Sequence, residues 1–111
     1  KTDMVWQDRV NPILVLSDIQ NTSRRFEVPL SGKVILGRSA YHGCQVVLDY
    51  DASVSRQHCE IFMKNGKMKV RDLHSRNVIS VNGVPVKEEV DLENGSILTV
   101  GKIELKVRLR R

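Results

Sequence analysis

The stretch CEIFMKNGKMKVRD, residues 59–72, contains the clearest structural signal in the chain. Both of its halves mix apolar with polar residues in period-two alternation, and the pair Asn65-Gly66 separates them. Asn-Gly is the preferred centre of a two-residue hairpin turn because both residues tolerate a positive φ angle. Period-two alternation indicates strands with one buried face. The stretch therefore predicts an antiparallel hairpin of strands Cys59–Lys64 and Lys67–Asp72.

The same pattern continues on both sides of this hairpin. Short alternating runs recur at a spacing of roughly ten residues, and turn-forming pairs such as Asn82-Gly83 and Asn94-Gly95 separate them. No window of helical length carries an apolar stripe. This organisation predicts an all-β sandwich or barrel. The other predicted strands are Ile13–Leu16, Arg25–Val28, Val34–Arg38, Gln45–Leu48, Ile79–Val81, Val84–Val86, Ser96–Val100 and Ile103–Leu109.

Length and composition fit one folded domain. The chain has 111 residues, of which 41% are hydrophobic and 28% charged. Its longest apolar runs are about five residues, too short to cross a bilayer. Residues 1–12 lack strand alternation and are predicted to form a linker or arm before a domain at 13–111. Because the first residue is Lys1 rather than Met, we expect a module of a longer protein, and a membrane anchor elsewhere in that protein is left open.

The net charge of +5 is concentrated at one end of the chain. Residues 101–111 hold five basic residues and one acid, so they supply most of the excess. On the last predicted strand these charges alternate with apolar residues. We expect them to face outward, where they aid solubility and protect a sheet edge. No aromatic residue lies in that strand, which disfavours binding of nucleic acid.

The two cysteines, Cys44 and Cys59, lack the Cys-x-x-Cys spacing of metal and redox sites. Cys59 lies in an apolar run and is predicted to be a buried thiol. We favour reduced thiols and a cytoplasmic setting over a disulfide. The sequence indicates neither a metal nor a cofactor.

Three polar clusters lie where predicted strands begin or end. Gly37-Arg38 closes one strand, Ser55-Arg56-Gln57-His58 precedes the next, and Ser75-Arg76-Asn77 follows the hairpin. Binding residues usually lie on loops of a rigid scaffold. If these loops meet, three guanidinium groups, two hydroxyls and an amide would suit a dianionic phosphate. On spacing alone, three separate solvated arginines are an equally good interpretation.

In these residues the chain resembles a forkhead-associated (FHA) domain. Each motif is weak alone, but the ordered set is specific and extends from about Val34 to Gly101. The resemblance implies an FHA-like β-sandwich of about eleven mostly antiparallel strands with ligand loops at one end. It also implies a module that is no enzyme and that binds phosphothreonine in a partner protein. The matching residues are Gly37-Arg38, Ser55-Arg56-Gln57-His58, Asp72-Leu73-His74-Ser75-Arg76-Asn77, Val81-Asn82-Gly83, Asn94-Gly95 and Val100-Gly101.

The resemblance assigns ligand contacts to five residues. Arg38 would contact the phosphate or the adjacent peptide backbone, Ser55 would donate its hydroxyl, and Arg56 would add charge to the same group. Arg76 would face the phosphate or its backbone. Asn77 would hold the main chain on the C-terminal side of the phosphothreonine, because its amide both donates and accepts.

Supporting roles follow from the same resemblance. Gly37, His58, Asn82 and Gly83 would fix the loops without touching the ligand. Ala52 and Ser53 lie where the family recognises the third residue after the phosphothreonine. Their small neutral side chains predict no charge preference.

The chain departs from the family after Asn77. The usual Gly-Thr is replaced by Val78-Ile79, and a β-branched residue with positive φ would be strained. Either Val78 adopts an ordinary extended conformation, or Asn77 is displaced from its ligand-facing position.

The sequence leaves three other functions to consider. An enzyme would use Ser55 as nucleophile, His58 as base and Asp72 to orient the base, but no oxyanion-hole sequence accompanies them. A nucleic-acid role would depend on the basic residues of 102–111. A phospho-independent interaction domain with the same fold is the strongest alternative, because Val78-Ile79 departs from the family pattern. We expect a monomeric module with no direct contact with a membrane or nucleic acid.

Overall fold

The computed structural model describes residues 11–111, which form two packed β-sheets. Within this range the one helical segment is a 3-10 turn at Ala40–His42, and no helix is long and apolar enough to cross a membrane. The predicted arm comprises residues 1–12, of which 1–10 lie outside the described residues. At its end, the Pro12 carbonyl accepts a hydrogen bond from Leu30 N at 2.9 Å. The strands are β1 (Ile13–Asp18), β2 (Arg25–Pro29), β3 (Lys33–Gly37), β4 (Val46–Val47), β5 (Cys59–Lys64), β6 (Lys67–Asp72), β7 (Ser80–Val81), β8 (Val84–Pro85), β9 (Glu89–Asp91), β10 (Ile97–Val100) and β11 (Ile103–Arg110).

The two sheets have six and five strands. One has the order β2-β1-β11-β10-β7-β8, and the other has the order β4-β3-β5-β6-β9. The short pairing of β3 with β4 is parallel, and the other described pairings are antiparallel. The predicted all-β sandwich of about eleven mostly antiparallel strands is therefore confirmed.

All ten predicted strands are present, with ends within two residues of those expected. The β5–β6 hairpin has the predicted bounds, and its turn residues Asn65 and Gly66 have φ angles of 54° and 78°. Positive φ at both central residues is the type I′ geometry that fits the twist of paired strands.

Strand β9 was missed by the sequence analysis. It is three residues long with a single apolar residue, too short for its alternation to stand out. Pairing with β6 defines it, and cross-strand ion pairs reinforce that pairing: Lys69 Nζ lies 2.7 Å from Asp91 Oδ1, and Arg71 Nη1 lies 3.7 Å from Glu89 Oε1.

The expectation that the last strand protects a sheet edge is wrong. Strand β11 lies between β1 and β10, because the first strand returns to pair with the last. Its inward residues Leu105 and Val107 are fully buried in the core, and its charged residues lie on the outer face of the six-stranded sheet.

Both thiols are buried and free. Cys59 is fully enclosed on β5, and this burial raises the pKa of its thiol. Cys44 donates a hydrogen bond to the Arg56 carbonyl, with 3.0 Å between Sγ and O. Cys44 therefore helps to position the loop before β5.

Candidate functional site

Three loops meet at the end of the sandwich opposite the Asn65-Gly66 turn. They connect β3 to β4, β4 to β5 and β6 to β7. Arg38 N donates to Ser55 O at 2.9 Å, and Leu73 N donates to His58 O at 2.9 Å, so the loops are joined through their backbones. Between them lies an open cavity of about 510 Å³. It is lined by Arg38, His42, Ser55, Arg56, Gln57, His74 and Arg76.

His58 joins two of these loops from below. Its side chain is fully buried, with Nδ1 3.0 Å from Ser55 N and Nε2 2.6 Å from the Asn77 carbonyl. The Ser55 N–H has to donate to Nδ1, so the proton of the neutral ring is on Nε2, which donates to Asn77. Burial lowers the pKa of His58, which keeps the ring neutral.

The Ser55 hydroxyl is oriented by a backbone amide. Arg76 N donates to Ser55 Oγ at 3.1 Å, so the hydroxyl proton must point elsewhere. Ser55 lines the cavity, and its proton is free to be donated to an acceptor there.

Arg38 is anchored at the edge of the cavity. Its Nε donates to the Val54 carbonyl at 2.7 Å, which leaves the terminal N–H groups of its guanidinium free. Arg56 is exposed and also lines the cavity. Arg38 therefore offers anchored donors, and Arg56 adds a second guanidinium, at a solvent-accessible surface.

Gly37 allows the β4–β5 loop to approach β3 closely. A Cβ atom at Gly37 would overlap the Arg56 carbonyl and lie 2.7 Å from Cys44 Sγ. Real Cβ atoms do not approach so near, so any side chain would push the Ser55-Arg56 segment outward. Glycine is required here by packing rather than by an unusual φ angle.

Asp72 organises the β6–β7 loop. Its carboxylate accepts hydrogen bonds from Ser75 N at 2.9 Å, Ser75 Oγ at 2.6 Å and Ile79 N at 3.3 Å. In the sequence, Asp72 belonged to the FHA-like motif and to the catalytic alternative, with no role in ordering this loop. An Asp followed three residues later by Ser is a local turn signal that indicates this role.

The geometry does not fit the catalytic alternative. Both nitrogens of His58 are occupied by backbone groups, Ser55 N and Asn77 O. Neither is available to take a proton from the Ser55 hydroxyl or to pair with Asp72.

Val78 avoids the strained conformation, because its φ angle is not positive. Within residues 11–111 the non-glycine residues with positive φ are Asn65, His74 and Asn82, so the left-handed residue of this loop is His74, at 55°. Asn77 Nδ2 donates to the Ser53 carbonyl at 2.9 Å, and Asn77 lies outside the cavity lining. The Asn77 amide therefore links the second loop to the third.

The predicted supports Asn82 and Gly83 lie away from the cavity. They form the β7–β8 turn with φ angles of 51° and 84°, and Asn82 Oδ1 accepts a hydrogen bond from Ile97 N at 2.8 Å. They hold this turn against β10.

Three cavity residues had no role in the sequence analysis: His42, Gln57 and His74. Gln57 Nε2 donates to the His42 carbonyl at 2.6 Å and so joins the first two loops. Gln57 lies in a motif that was noted, but nothing in the sequence shows that its side chain reaches the loop that contains His42.

The chain is similar to known proteins over the region that holds these loops. The FHA domain profile matches residues 34–101, which include all three loops. Glycogen accumulation regulator GarA of Mycobacterium tuberculosis is 33% identical over 93 residues, 84% of this chain and 54% of GarA. The chain thus spans about half the length of this curated relative.

Solved FHA domains share the shape of the chain. One, from a study of phosphothreonine-dependent FHA domain interactions, is 30% identical with a TM-score of 0.76 and covers 89% of this chain and 98% of that domain. The FhaA FHA domain, complexed with the intracellular domain of Rv3910, is 32% identical with a TM-score of 0.73 and covers 86% and 99%. The profile match and these likenesses show that the chain belongs to the FHA domain family.

Proposed function

We propose that this domain binds phosphothreonine segments of a partner protein in the cavity between the three loops. The observation that carries the proposal is the convergence of Arg38, Ser55 and Arg56 on one open cavity. No carboxylate of residues 11–111 lines it. A phosphate carries a charge of about −1.5 to −2 at pH 7 and three acceptor oxygens. It needs the free guanidinium and hydroxyl donors that this cavity offers.

The individual roles follow from the contacts. Arg38 and Arg56 supply charge, and the hydroxyl proton of Ser55 is donated to a phosphate oxygen. Arg76 borders the same cavity. Asn77 retains one amide N–H and its Oδ1 for the ligand's main chain.

The support residues act at different distances from the ligand. Gly37 and His58 hold the cavity loops in place, whereas Asn82 and Gly83 stabilise the more distant β7–β8 turn. Preorganised donors lose less conformational entropy when a ligand binds.

The similar solved structures support this function. One belongs to a study of phosphothreonine-dependent FHA domain interactions, and another FHA domain was solved bound to the intracellular domain of a second protein. We infer that this chain is likewise a recognition module without catalytic activity, acting within a larger cytoplasmic protein.

The test begins with a phosphothreonine peptide library, which supplies a ligand. That peptide is then titrated in matched phosphothreonine, phosphoserine and threonine forms against the wild type and Arg38→Ala. Arg108→Ala, on the outer face of β11, is the control for lost charge. We expect the phosphothreonine form to bind tightest and Arg38→Ala to weaken it roughly tenfold or more, since it removes charge-assisted hydrogen bonds. Equal affinity for all three forms would instead establish a phospho-independent interaction domain.

A further inference from the structure

The cavity holds more positive charge than one phosphate needs. Counting histidines as neutral, its lining residues carry three formal positive charges, those of Arg38, Arg56 and Arg76. A phosphothreonine balances about two of them. One guanidinium is left over, and a single leftover charge matches a carboxylate.

Arg76 contacts the β4–β5 loop at a different residue from Arg38, whose Nε donates to Val54 O. Its Nη2 lies 3.4 Å from the Ala52 carbonyl, three residues before Ser55, whereas Arg56 directly follows Ser55. This long contact uses one of five guanidinium N–H groups. The side chain of Arg76 therefore reaches the β4–β5 loop at Ala52.

Two carboxylates of the adjoining loops, those of Asp51 and Asp72, are bonded within their own loops. Asp51 accepts hydrogen bonds from Ser53 N at 2.9 Å and Ser53 Oγ at 2.6 Å, and Asp72 is held by Ser75 and Ile79. In the described part of the chain, no ion pair includes Arg76. Its charge is available to a bound ligand.

We propose that the ligand carries an aspartate or glutamate close to its phosphothreonine, and that Arg76 recognises this carboxylate. The inference rests on the proposed function and names the ligand class more narrowly. An extended peptide advances about 3.3–3.6 Å per residue, so we place the acidic residue within roughly three positions of the phosphothreonine on either side. The neutral side chains of Ala52 and Ser53 predicted no charge preference, and Arg76 supplies one.

The test uses peptides centred on phosphothreonine with three randomised residues on each side. Wild-type domain is expected to retain peptides enriched in Asp or Glu at one of these positions. The tightest-binding sequence is then made as two peptides, one with the acidic residue and one with its amide. The amide should weaken wild-type binding about three- to tenfold, as expected for a partly exposed charge-assisted pair. The loss should shrink at high salt.

Arg76→Gln provides the decisive comparison. It should bind the acid and amide peptides equally and still prefer phosphothreonine to threonine. The Ser55 contact uses the backbone N–H of residue 76, which this variant keeps, and thermal unfolding verifies its fold. Lys106→Gln, on the outer face of β11, removes the same charge elsewhere and should discriminate like the wild type.

Three results would overturn the inference. The wild type could bind the acid and amide peptides equally, or Arg76→Gln could still discriminate between them. Arg76→Gln could also lose its preference for phosphothreonine over threonine. The last would make Arg76 a phosphate contact. A wild type that does not distinguish phosphothreonine from threonine would reject the proposed function and this inference together. Phosphate dependence without acid preference would reject the inference alone.

Discussion

Protonation of His58 should destabilise the fold below neutral pH. The neutral imidazole accepts a hydrogen bond from Ser55 N through Nδ1 and donates one to Asn77 O through Nε2. A second proton would bind to Nδ1 and make it a donor. Nδ1 could then no longer accept the hydrogen bond from Ser55 N, and two N–H groups would face each other. Burial lowers the pKa of His58 from its ordinary value of 6.5, the value expected in the unfolded chain.

The direction of the pH effect follows from this shift. Above pH 6.5 His58 is neutral in both states, and its contribution to stability is complete. As the pH falls below 6.5 the unfolded chain binds a proton that the folded domain resists, so the free energy of unfolding decreases until the folded pKa is reached. One proton gives a limiting slope of about 1.4 kcal/mol per pH unit.

Urea unfolding at pH 7.5, 6.5 and 5.5 measures this slope. We expect the wild type to lose stability mainly between pH 6.5 and 5.5, where most carboxylates remain ionised. His58→Gln lacks the titrating group, so it should be less stable at pH 7.5 yet lose little more on acidification. His74→Asn, which removes an exposed imidazole and tolerates positive φ, should retain the wild-type slope. A flat wild-type profile, or an equal slope in His58→Gln, would refute this assignment of His58.

Two further substitutions separate binding from stability. Gly37→Ala should lower affinity for the phosphothreonine peptide roughly tenfold or more in calorimetric titration. The reason is that the new Cβ displaces the Arg56 carbonyl and costs about 1–3 kcal/mol of overpacking. As the control, Gly66→Ala is strained at the opposite end of the sandwich and should lose stability but not affinity. Asn82→Ala should lower the free energy of unfolding by about 1–2 kcal/mol, because it strains a left-handed residue and frees Ile97 N, while affinity stays unchanged. Normal affinity in Gly37→Ala, or weakened binding in Asn82→Ala, would contradict these assignments.

Local sequence signals predicted most of the fold. Asn65-Gly66 specifies its turn by backbone chemistry alone, and alternation located ten strands within two residues of their ends. Strand β9 was not predicted because its pairing with β6 depends on tertiary contacts such as the Lys69–Asp91 ion pair. The interior position of β11 was missed for a related reason: which strands become neighbours depends on how the two ends of the chain meet.

The site was only partly predictable. Motif order brought Arg38, Ser55, Arg56 and Arg76 together as candidates, and these four line one cavity. The sequence left two conformations open at Val78; in the structure Val78 has no positive φ, and the residue of this loop that does is His74. Directions of long side chains were beyond prediction: Arg76 extends towards Ala52, and Gln57 reaches His42. These contacts depend on distances between loops that no local pattern encodes.

The central claim is that phosphate-dependent binding occurs in the cavity between the three loops. The most direct measurement is an amide chemical-shift titration of the ¹⁵N-labelled domain with a phosphothreonine peptide and with the same peptide unphosphorylated. We predict large, saturable shifts at the amides of Arg38, Ser55, Arg56 and Arg76 with the phosphorylated peptide only. Shifts centred on the outer face of the six-stranded sheet, or identical shifts with both peptides, would contradict the claim.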